Sequence, residues 1–87
     1  MKGAALPDWI IEPRRIAHAA APRFAATWTT GQAPPGPCWT DEGSGSGDDR
    51  IHIYGVTWRD TPPDDAATRA LMDAAARAVD AWIARRL

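Results

Sequence analysis

The clearest periodicity lies in the last third of the chain. Along DTPPDDAATRALMDAAARAVDAWIARRL, the apolar positions Leu71, Met72, Ala75, Val79, Trp82 and Ile83 recur three and four residues apart. That is the spacing of one buried stripe on a helix. Asp65, Arg69, Asp73 and Arg77 alternate in sign every four residues, which is the pattern of a solvated face. Thr61 can cap such a helix, and Pro62 fits its first turn, where a missing N–H costs nothing. Asp64 and Asp65 then meet the positive end of the helix dipole, and Arg85 and Arg86 the negative end. A helix from about residue 62 to 86 is expected.

The preceding run, RIHIYGVTW, changes to strand-forming residues. Strict alternation leaves neither face cleanly polar. A bulge at Gly55 resolves this: Ile51, Ile53, Val56 and Trp58 share the core face, and His52, Tyr54 and Thr57 turn the other way. The alternative is a strand covered on both faces. Upstream, GPCWTDE can supply a partner strand, joined by a Gly/Ser-rich loop over roughly residues 41–49. RFAATWTT sets Phe24, Ala26 and Trp28 against Ala25, Thr27 and Thr29, a strand alternation.

EPRRIAHAAAP reads as a short helix, with Pro13 in its first turn and Pro22 marking its end. A competing reading runs one kinked helix from Pro13 to Trp28, with Ile16, Ala20, Phe24 and Trp28 on a stripe. DWIIE reads as an extended lead-in or a short edge strand. Together the segments predict an α+β fold. A small antiparallel sheet of about three strands packs on a long C-terminal helix and a shorter N-terminal helix, in a single domain over residues 1–87.

Composition narrows the function classes. A formal net charge of −1 lacks the basic excess of a nucleic-acid binder, so such a role is the last of the alternatives. One cysteine, Cys38, allows neither an intrachain disulfide nor a CxxC metal site and suits a reducing, cytoplasmic location. The opening MKGAALPDWIIEPRR breaks its apolar run at Pro7 and Asp8, unlike a secretory signal. No run is long enough for a transmembrane helix, so no membrane partner is expected.

The chemistry-bearing residues are sparse. His18 and His52 have no patterned ligand or orienting carboxylate nearby. Cys38 has no cationic neighbour in sequence to lower its pKa. DEGSGSGDD lacks the alternating oxygen ligands and closing glutamate of an EF-hand. GSGSG has no following Lys-Ser/Thr and leads into a strand, not a helix. No catalytic residue, cofactor or metal is therefore expected, and the chain reads as a non-enzymatic protein-interaction module.

A sheet covered by helices on one side presents its other face to partners, where aromatic residues concentrate binding energy. The expected contact residues are Arg50, His52 and Tyr54 on that face, with Asp41, Glu42, Asp48 and Asp49 in the adjoining loop. In size and composition the chain resembles small accessory proteins of bacterial mobile elements. These include phage inhibitors of host defence such as anti-CRISPR proteins. That resemblance implies inhibition of a host complex through a protein partner. The alternative is a homo-oligomeric structural subunit, a homodimer for example, pairing through its long helix or a sheet edge.

Overall fold

A computed structural model describes residues 8–41 and 50–86. Five strands and one helix follow in chain order: β1 (Trp9–Glu12), β2 (Arg15–His18), β3 (Phe24–Thr30), β4 (Cys38–Asp41), β5 (Ile51–Trp58) and α1 (Asp65–Arg86). All pairings are antiparallel, in the spatial order β1-β2-β3-β5-β4. The fold is thus α+β, as the patterning predicts, but two expectations are corrected. The sheet has five strands, not about three, and the segment expected as the shorter N-terminal helix is strand β2.

The reason lies at Pro13 and Arg14. These two residues join β1 to β2, with Arg14 at φ +71°, a left-handed conformation that excludes a continuing helix. Trp28 holds the turn from below. Its indole N–H donates to the carbonyls of Glu12 (2.9 Å) and Arg15 (3.1 Å), and its backbone N–H donates to that of Arg14 at 3.1 Å. Ile16 then falls opposite Ile11 and Ala26 and is almost fully buried. Tertiary burial of this one side chain and the Trp28 clamp override the helix propensity of an alanine-rich segment. The kinked-helix alternative is excluded with it, because β3 alternates buried and half-buried positions as its sequence predicts.

The bulge expected at Gly55 is present. Ala25 faces Thr57 and Thr27 faces Tyr54, so two residues of β5, Gly55 and Val56, oppose Ala26 of β3. Gly55 takes φ +64°, the glycine conformation such a bulge uses. The phase change keeps Ile51, Ile53, Val56 and Trp58 in the core with Phe24, Trp28, Met72, Ala75 and Val79. One cross-strand row of that core is aromatic: Trp9, His18, Phe24 and Trp58, with neighbouring ring centroids 4.4, 5.7 and 5.2 Å apart. Such tilted pairs add to what apolar burial alone contributes.

The helix begins three residues later than expected. Pro63 disfavours helical angles at Pro62, and Asp64, not Thr61, is the cap. Its Oδ1 accepts the Ala67 N–H at 2.8 Å, and its carbonyl accepts the first intrahelical bond from Thr68. α1 rests over β4 and β5 and reaches β1. Trp82 meets Trp28 edge-on at 5.7 Å, while Arg86 lies 4.5 Å over the Trp82 ring. Among the described residues no helix is long and apolar enough to cross a membrane.

Candidate interaction surfaces

The face of the sheet turned away from α1 is built from rows fixed by the strand register. Ile10, Ala17, Ala25 and Thr57 form one row. Glu12, Arg15, Thr27, Tyr54 and Cys38 form the next, across all five strands, and Thr29, His52 and Thr40 form the third. These rows do not share one environment.

His52 in the third row is only 4% exposed. β3 and β4 flank β5 on opposite sides, so the connection between them, residues 31–37 (GQAPPGP), must pass β5. It starts over the face away from α1, because His52 Nε2 lies 2.7 Å from the Gly31 carbonyl. That carbonyl can only accept, so Nε2 carries a proton. In the neutral ring Nδ1 then accepts the Thr40 hydroxyl at 2.8 Å, and the Cys38 thiol stands 3.8 Å behind that hydroxyl. His52, expected on the contact face, does point to that side but is enclosed and tethers the crossing loop. The strand pattern shows which way His52 points, but not that a loop from elsewhere in the chain would cover it.

The first two rows remain open. Ile10 is 55% exposed, the one large hydrophobic side chain so exposed among the described residues. Its cross-strand neighbours are alanines, so the register leaves a depression of about 150 Å³ lined by Ile10, Ile16, Ala17 and Ala25, with Glu12 and Arg15 at its rim. An apolar centre with a charged rim is the usual anatomy of a protein-binding patch. Tyr54 lies in the second row and is half-buried, and Arg50 is exposed just before β5. Asp41 closes β4, while Glu42, Asp48 and Asp49 lie outside the described residues. Ile10 was not singled out from sequence. Its only signal is its place between Trp9 and Ile11 in a strand that buries alternate residues.

Two further recesses flank α1. One, of about 350 Å³, is lined only by Pro22, Pro63, Ala67, Ala70, Leu71 and Ala74. The other, of about 450 Å³, lies between the β4 edge and the helix, with Cys38, Trp39, Thr40, Arg69 and Asp73 around it. Among the described residues, no three His, Cys, Asp or Glu side chains come together as a metal-binding group. Arg23 and Asp60 form an ion pair at 2.9 Å. The Arg23 side chain, then its backbone N–H, donate to the Asp60 carboxylate and hold it down to about 2. This joins the β2–β3 corner to the lead-in of α1. Comparison with family models, with curated proteins and with solved structures finds no match to this chain.

Proposed function

We propose that the chain is a non-enzymatic protein-interaction module whose contact surface is the open part of the sheet, centred on Ile10 and extending to Tyr54. The observation that carries this reading is Ile10 itself, more than half exposed on a face that α1 does not cover. Glu12 and Arg15 beside it supply both signs of charge for orienting a partner. The resemblance in size and composition to mobile-element accessory proteins makes a bacterial defence complex the partner class to test first, with the chain acting as its inhibitor.

The test is capture of partners from bacterial lysate by wild type, Ile10→Arg and Tyr54→Ala, with binding then measured on the purified partner. An anchor residue at the centre of an interface costs tenfold or more in affinity when replaced, on the order of 2 kcal/mol. Ile10→Arg is expected to lose that much while keeping its circular dichroism. Equal capture by all three proteins would show that binding occurs elsewhere.

A further inference from the structure

The β4 edge carries a second surface, independent of the open face. Among the described residues β4 is paired on one side only, with β5. Alternate residues of an edge strand turn their N–H and C=O groups outward, ready for another strand. Trp39 sits in the middle of β4, half-buried and packed against the core. The recess beside it is closed on the helix side by Arg69 and Asp73.

Arg69 and Asp73 belong to the row Asp65, Arg69, Asp73, Arg77. All four are exposed, and none stands in an ion pair among the described residues. The row has a symmetry of its own. Asp65 and Arg77 are equidistant from residue 71, and so are Arg69 and Asp73. An identical row running antiparallel about residue 71 meets it with opposite charges at all four positions. The three strand residues at the recess centre on Trp39, and the two helix residues centre on 71. A single two-fold axis beside β4 therefore serves both elements at once.

From this coincidence we infer that the chain forms a two-fold homodimer. β4 pairs antiparallel with β4 of a second copy about Trp39, and the two α1 helices lie side by side with their charge rows matched. Arg69 and Asp73 border the recess on the β4 side of α1, so the charge row faces the two-fold axis. The charge row is about 18 Å long at 1.5 Å per residue, so the helices meet over three turns. The half-buried Trp39 completes its burial against its own copy, giving the contact an aromatic centre. Both sheets keep their helices on one side, because residues facing each other across β4 point to the same face.

The test is mass in solution by light scattering and sedimentation at sub-millimolar concentration. Wild type is expected at twice its 9.4 kDa. R69D sets a carboxylate opposite the second copy's Asp73, and D73R sets a guanidinium opposite the second copy's Arg69, each twice per dimer. Either change is expected to weaken self-association by about 30-fold, from two lost and two repulsive surface contacts. Both positions are exposed, so far-UV circular dichroism should not change. Mixing R69D with D73R makes every contact complementary again and is expected to restore the dimer as a heterodimer. The inference is overturned if wild type stays monomeric, if the single variants dimerise as wild type does, or if the mixture stays monomeric. Partner capture through Ile10 is read out separately, so either result stands without the other.

Discussion

Replacing His52 with phenylalanine removes two hydrogen bonds while keeping a flat ring between Thr29 and Thr40. The Gly31 carbonyl loses the Nε2–H donor at 2.7 Å, and the Thr40 hydroxyl loses Nδ1 at 2.8 Å. Each neutral bond contributes about 1 kcal/mol net, and a polar group left unpaired in a dry site costs about 1–3 kcal/mol. The site is 4% exposed, so water cannot readily replace the ring. His52→Phe is therefore expected to destabilise the fold by about 2–4 kcal/mol. For a chain of this size that corresponds to a drop in Tm of roughly 10–20 °C. Urea unfolding followed by tryptophan fluorescence measures it. Thr40→Val closes a double-mutant cycle: it should cost about 1 kcal/mol in wild type and distinctly less once His52 is phenylalanine. Amide exchange across residues 31–37 should also quicken in His52→Phe. A loss under about 0.5 kcal/mol, or strictly additive effects of the two changes, would refute the tether.

Three further outcomes follow from local geometry. Gly55→Ala should cost about 1 kcal/mol in urea unfolding, because φ is +64°. An added Cβ meets Thr27 Oγ1 at an ordinary 3.7 Å, so a much larger loss would mean the bulge is packed more tightly than this contact shows. Asp64→Ala should lose about 1 kcal/mol and Asp64→Asn almost nothing, since asparagine caps equally well; equal losses would place the start of α1 elsewhere. The Asp60 carboxylate, titrated by NMR, should show a midpoint near 2 in place of the usual 3.8, returning toward it in Arg23→Ala. Because the folded value is depressed, the contribution of this pair is present above about pH 4 and fades as pH falls toward 2; a midpoint near 4 with Arg23 intact would contradict the bridge.

The elements with strong local signals were readable in the chain. β3 alternates large apolar residues with threonines and small residues, β5 carries β-branched residues around one glycine, and α1 has a stripe and charged ends. The bulge was legible because without it Ile53 and Val56 fall on opposite faces. The β1–β2 hairpin was not. Its turn uses arginine in a conformation that usually signals glycine or asparagine, and IAHAAA carries more helix propensity than strand propensity. What decides that segment is Trp28, fourteen residues beyond the turn that it clamps. The cap was misplaced for a smaller reason: two consecutive prolines delay the helix to the next residue able to accept N–H bonds. On the sheet face away from α1, the orientation of Tyr54 and His52 was legible, and the burial of His52 was not. That burial comes from a crossing loop, which a pairing order never written in the local pattern puts in place.

β5 sits between two strands that are both made before it. As the chain leaves the ribosome, β1, β2 and β3 can close on one another through connections of two and five residues. β4 emerges next with no strand yet to pair with, since its one described pairing is with β5. Only when Trp58 is out can β5 slide in between β3 and β4 and bring His52 under its loop. Closing such distant contacts is entropically slow. Until then Trp39 and the uncovered flank of β3 stand open to other chains. The molecule is thus most vulnerable to proteases and to its own nascent neighbours in the interval between the fourth strand and the fifth.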